Sequence, residues 1–141
     1  MQRTWRKKEP LIQAHVKDLS VTIIEKHIQT FREVVGPGKS GIYVLRKDRD
    51  VYYVGLASSL RARLAQHMKD HHKGEWNRFD LYFILPSKLK YLKELETILI
   101  RVARPRGCRT EPDFVKHNNL TGEFKRALLK EVSGLFPNPG R

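Results

Sequence analysis

Two short apolar runs, Gly41–Arg46 and Val51–Leu56, flank the polar tetrapeptide Lys47-Asp48-Arg49-Asp50, and no other stretch constrains the fold as strongly. Strand, charged turn, strand is a hairpin signature. Strand side chains alternate between faces, so Gly41, Tyr43 and Leu45 share one face, and Val51, Tyr53 and Gly55 share one face of the partner strand. Where those faces coincide, two tyrosines and two backbone-exposing glycines lie side by side. Ser58 then opens a helix with Leu60, Leu64 and Met68 on one stripe. With Arg63 as origin and about 100° per residue, His67 falls at about 40° and the apolar stripe at about 60–140°. Arg63 and His67 therefore border the buried face, where a side chain is held firmly and still reaches a ligand.

Leu81 to Leu85 reads as a third strand closed by Pro86. Ser87 caps a helix expected over Lys88–Ala103, which Pro105 stops. Its apolar stripe is Leu89, Leu92, Leu95, Leu99, Val102 and Ala103, and Glu96 falls inside it. An uncompensated carboxylate there costs several kcal/mol, so it needs a cation or strong donors. Two readings stand: an internal ion pair with an arginine, or a metal-binding carboxylate. Glu94 points elsewhere and reads as a solvated charge.

The 141 residues suit one domain with a real core. The formal charge of +13 favours polyanions, nucleic acid before anionic membrane. No apolar run approaches the roughly 18 residues that span a bilayer. The first fifteen residues lack the apolar centre of a signal peptide, so an intracellular location is expected. A single cysteine, Cys108, excludes an internal disulfide and a multi-cysteine zinc site. His67, His71 and His72 are joined by no cysteine and no well-spaced carboxylate, which argues against zinc.

Residues 1–17 read as a basic arm with Arg3, Arg6, Lys7 and Lys8, either frayed or tracking a phosphate backbone. Together with Arg61 and Lys69 these are the candidate nucleic-acid contacts. Residues 18–141 form the single domain. Asp18 or Ser20 caps a helix expected over 18–35, with Val21, Ile24, Ile28, Phe31 and Val35 as its stripe. A last helix is expected over 120–132, with Phe124, Leu128 and Val132 on one side.

Gly41-Ile42-Tyr43, a gap of nine residues, Tyr53-Val54-Gly55, then Arg63 and His67 ten and fourteen positions after Tyr53, resembles the GIY-YIG nuclease family. Glu96 matches that family's single glutamate on a helix after the third strand. The resemblance spans residues 41 to about 108. It departs at Leu56, where relatives carry a small polar or basic residue, and at Cys108, where they carry asparagine. Asn118 or Asn119 either replaces that asparagine or caps the last helix.

The resemblance implies an α+β fold, a small antiparallel three-stranded sheet flanked by helices, here with the added N-terminal helix. It also implies a metal-dependent DNA endonuclease, of the kind used in DNA repair or restriction. In that reading Tyr43 activates water and Arg63 presents its planar fork to phosphate oxygens. His67 relays a proton, and Tyr53 orients water or phosphate. Glu96 holds one Mg²⁺, with Mn²⁺ able to substitute. The competing class is a non-catalytic nucleic-acid-binding module on the same scaffold. A protein partner on helix 18–35, or a homo-oligomer, is left open by the sequence.

Overall fold

The computed structural model describes residues 10–108, 112 and 120–135. Arg3, Arg6, Lys7, Lys8, Asn118 and Asn119 lie outside the described residues.

The hairpin forms where the patterning puts it, as β2 (Gly41–Lys47) and β3 (Asp50–Ala57). Asp48 takes the left-handed conformation at the turn, one that Asp tolerates better than most residues. The third expected strand is longer and begins earlier, at Arg78–Ile84. A further strand, β1 (Ile12–Ser20), pairs with it, so that strand is β4 and the antiparallel sheet is four-stranded in the order β1-β4-β2-β3. This corrects the expected three-stranded sheet. It also corrects two boundaries, since residues 12–17 of the expected arm are strand. The helix expected over 18–35 is instead the end of β1 followed by α1 (Thr22–Lys26) and α2 (Ile28–Val34).

Helices cover both faces. The hairpin runs into α3 (Leu60–His67), whose N-cap is Ser59, its Oγ accepting from the Ala62 N–H. Leu60 and Leu64 of α3 join Phe31, Tyr43, Leu45, Phe79 and Leu81 in one core. On the opposite face Ile42, Val44, Val54 and Ile84 pack with Leu92 of α4 (Leu92–Ala103). Central strand β2 is therefore buried on both sides from Gly41 to Leu45. Lys88–Tyr91, expected as the first turn of that helix, belong instead to a 3-10 turn over Pro86–Tyr91. The buried side of α4 is turned from the expected stripe: Leu92 and Thr97 are buried while Leu99 and Val102 are exposed. The last helix, α5, spans Thr121–Leu135 and leaves Phe124 and Leu128 exposed.

One irregularity decides the site. Between β2 and β3 the register slips, with Leu45 opposite Tyr53 but Arg46 opposite Val51. Tyr52 is the extra residue of a β-bulge, and a bulge breaks the period of two. Tyr52 and Tyr53 both pack with the α3-side core, while Val51 packs with the α4 side. The expectation that Val51 shares the face of Tyr53 fails for this reason.

Asp80 anchors the other end of the sheet. It is fully buried in β4 and takes both the Nε and Nη2 groups of Arg46, at 3.0 and 2.7 Å. Its other oxygen accepts the backbone N–H of Asp18 at 2.7 Å, where β1 bulges.

Candidate active site

Tyr43 stands on β2 under the C-terminal end of α3, and its ring stacks on Tyr53 with centroids 5.8 Å apart. His67, the last residue of α3, brings Nε2 to 2.8 Å from the Tyr43 hydroxyl. Its Nδ1 lies 2.8 Å from Oδ2 of Asp70, three residues on. Only 4% of His67 is exposed, so water does not compete for either nitrogen. The second oxygen of Asp70 accepts the His72 backbone N–H at 2.9 Å. His72 in turn meets the Tyr52 hydroxyl through Nδ1 at 2.7 Å. The bulge thus sets two tyrosine–histidine pairs side by side, with the His67 and His72 rings 5.0 Å apart.

Burial pushes the Tyr43 phenol well above its usual range, the nearby Tyr53 adds to this, and the Arg63 charge works against it. Tyr53 is raised as well, again chiefly by burial. His67 is lowered, burial outweighing the opposing pull of Asp70. Burial acts to raise the Asp70 carboxyl, but hydrogen bonds from the His72 backbone and from His67 hold it below the ordinary range. An ionised Asp70 only accepts, so Nδ1 of His67 carries the proton. Neutral His67 then has a bare Nε2, and the Tyr43 hydroxyl donates to it.

Arg63 is half-buried, and its charge lowers both tyrosines. No ion pair or hydrogen bond engages it among the described residues, which leaves its fork available to a ligand.

Glu96 comes from α4 around the open edge of β3. Its Oε2 accepts the Leu56 backbone N–H at 2.9 Å, and its Oε1 lies 3.2 Å from Nζ of Lys93. Among the described residues neither an arginine nor a buried cation neutralises it. The lysine side chain is 59% exposed and the glutamate 14%. An exposed ammonium in the position of a cation, easily displaced, fits a carboxylate that can take a hard divalent ion. Glu96 opens onto a cleft of about 340 Å³ shared with Tyr53, His71, His72 and Cys108.

Cys108 occupies this cleft because α4 ends at Arg104 in the left-handed conformation and Pro105 turns the chain back. The Gly107 N–H then donates to Tyr52 O at 2.7 Å, and Cys108 Sγ lies 3.5 Å from Val54 O. Burial pushes the thiol up, so it is a neutral donor to the edge strand.

The sequence-derived set is therefore brought together in part. Tyr43, Tyr53, Arg63 and His67 form one cluster, and Glu96 joins it across the cleft. Arg61 lines a separate hollow with Ile24, Ile28 and Phe31, and Lys69 is exposed. Asp70 was missed, although His67 and Asp70 at i and i+3 are a readable pair. The expectation that no carboxylate joins the histidines is corrected by it: His67, Asp70 and His72 offer ligand atoms within 4.8 Å of one another. Both His67 nitrogens and Nδ1 of His72 are hydrogen-bonded, so the group is a polar network already satisfied from within.

The GIY-YIG catalytic-domain family profile matches residues 39–109. No curated protein matches the chain significantly. Solved structures that resemble it include the GIY-YIG N-terminal endonuclease domain of UvrC from Thermotoga maritima. Bound to its catalytic magnesium, that domain is 20% identical, with 59% of this chain and 97% of that one covered and a TM-score of 0.46. A point mutant with its catalytic divalent cation is 20% identical, with 60% and 98% covered and a TM-score of 0.47. Among the described residues no helix is long and apolar enough to cross a membrane.

Proposed function

Since the chain belongs to the GIY-YIG family, we propose that it is a metal-dependent DNA endonuclease that hydrolyses phosphodiester bonds. The observation that carries this reading is the Tyr43–His67 hydrogen bond beside an unengaged Arg63. A phenol with its pKa so raised does not supply phenolate, so Tyr43 acts only with a base that takes its proton as water gives up another. Neutral His67 is that base. Arg63 binds the non-bridging phosphate oxygens and offsets the charge that gathers on them. Tyr53, stacked on Tyr43, orients the water or the phosphate.

Glu96 is the residue that would hold Mg²⁺ or Mn²⁺, which when bound supplies Lewis-acid stabilisation of the leaving 3′ oxygen. Cys108 ties the turn after α4 to the edge of β3, and in this way keeps the cleft open beside Glu96. The +13 charge supplies non-specific affinity for DNA. The basic segment 1–8 is proposed to add to it.

The test is cleavage of supercoiled plasmid and of branched DNA with Mg²⁺ or Mn²⁺, stopped by EDTA. Binding without cutting under every metal condition would instead favour a non-catalytic module on the same scaffold. Undiminished cutting in EDTA would remove the metal role given to Glu96.

A further inference from the structure

We propose that Asp70 is the positioning residue of a Tyr43–His67–Asp70 proton relay, fixing His67 in the tautomer that can take the Tyr43 proton. The inference rests on the nuclease reading above and adds to it a group outside the tripeptide motifs.

The geometry is that of a linear relay. Tyr43 Oη, the two imidazole nitrogens and Asp70 Oδ2 are joined by two bonds of 2.8 Å each, on opposite sides of one buried ring. Both carboxylate oxygens of Asp70 are committed, Oδ2 to His67 and Oδ1 to the His72 N–H, so its rotamer is set. The backbone supports the same placement, since the Lys69 and Asp70 N–H groups both donate to Gln66 O. With the other tautomer, a bare Nδ1 would face the carboxylate and Nε2–H would face Tyr43. The tyrosine would then accept, and its own proton could turn only to the Tyr53 hydroxyl, a far weaker base than imidazole.

The step balances as follows. Water's oxygen bonds to phosphorus and its proton passes to the Tyr43 oxygen, while the Tyr43 proton moves to Nε2 of His67. The bond from phosphorus to the 3′ oxygen breaks, and that oxygen takes a proton from solvent. His67 becomes an imidazolium, stabilised by Asp70 and opposed by the charges of Arg63 and His71. It later returns its proton to solvent through Tyr43. A carboxylate behind the imidazole performs the same two tasks in hydrolytic triads, holding the tautomer and stabilising the cation.

The experiment uses the full chain with Asp70→Asn and Asp70→Ser. Serine keeps an acceptor for the His72 N–H, as short hydroxyl side chains do in local turns, but has no carboxylate for His67. Three quantities are read: the His67 tautomer by ¹⁵N NMR, DNA affinity, and the single-turnover cleavage rate with Mg²⁺. Wild type should show a protonated Nδ1. Both variants should lose that tautomer preference and slow by about 10²-fold or more, the scale of a lost acid–base contribution. DNA affinity should stay unchanged. Near wild-type cleavage by both variants would overturn the relay, as would an Nε2–H tautomer in the wild type. Rescue by serine but not asparagine would assign Asp70 to the turn alone and equally overturn it. The two readings fail separately. Absence of cutting by the unsubstituted chain removes the nuclease, whereas cutting that ignores Asp70 removes only the relay.

Discussion

Gly55 lies directly opposite Tyr43 in the β2–β3 ladder, and a Cβ at Gly55 would stand 2.4 Å from the Tyr43 hydroxyl oxygen. The glycine of the second tripeptide is thus the space into which the tyrosine of the first one reaches. Gly41 answers to another contact, since a Cβ there would meet the backbone oxygen of Tyr82 at 1.8 Å.

Gly55→Ala should therefore displace Tyr43 from His67. Overpacking of this kind costs about 1–3 kcal/mol, and the loss should appear in thermal melts. Cleavage should fall much further than DNA binding does. A Gly55→Ala protein with unchanged cleavage would show that the phenol position is irrelevant to the chemistry.

Tyr43→Phe and Tyr53→Phe should separate the roles of two stacked tyrosines, of which only Tyr53 lines the cleft. Removing the Tyr43 oxygen also leaves a buried His67 nitrogen without its partner, at a cost of about 1–3 kcal/mol. Single-turnover cleavage should drop by about 10²-fold or more. Tyr53→Phe should act through substrate positioning and leave measurable cutting. The reverse ranking would exchange the two roles.

The pH dependence follows from His67. Its pKa is lowered from 6.5, burial being the main cause and Asp70 opposing it. Only the neutral ring accepts a proton, so the rate should be full above the lowered pKa and fall as pH drops through it. The charged and titratable groups facing His67 are Arg63, Asp70, His71, His72, Tyr43 and Tyr53. Removing Asp70 removes the contribution that favours the imidazolium, so the acid limb of Asp70→Ser should move to lower pH. A limb that moves upward would contradict the assignment.

Glu96→Gln keeps the shape and an acceptor for the Leu56 N–H while removing the charge. Cleavage should be abolished, with DNA binding intact or slightly tighter because one negative charge leaves a basic surface. Isothermal titration with Mn²⁺ should show weakened metal binding. Retained activity with unchanged metal affinity would make Glu96 a partner of Leu56 and Lys93 only.

Asp80→Ala should destabilise without entering the chemistry. It strips Arg46 of a fully buried carboxylate, and breaking one side of such a pair costs about 3–5 kcal/mol. Urea denaturation measures this directly. A loss as small as that of an exposed pair, about 0–1 kcal/mol, would mean that water replaces the carboxylate.

Local pattern determined the hairpin, α3 and the placing of Tyr43, Tyr53, Arg63 and His67, because each rests on period or spacing within some 25 residues. It also marked Glu96 as out of place on an apolar side, which the backbone of Leu56 and the exposed Lys93 then explain. Alternation at Ile12, Ala14 and Val16 did signal β1, but as an edge strand that is mostly exposed and bulged it reads as easily as a basic arm. Tertiary structure alone decided that Tyr52 is an inserted residue, since a bulge depends on the partner strand's register and not on composition. It decided which side of α4 is buried, because the sheet edge selects that side from several apolar ones. It also decided which partner each His67 nitrogen meets. Asp70 lies near His67 in sequence, but which nitrogen faces it depends on Tyr43, brought under the ring from a strand 24 residues away.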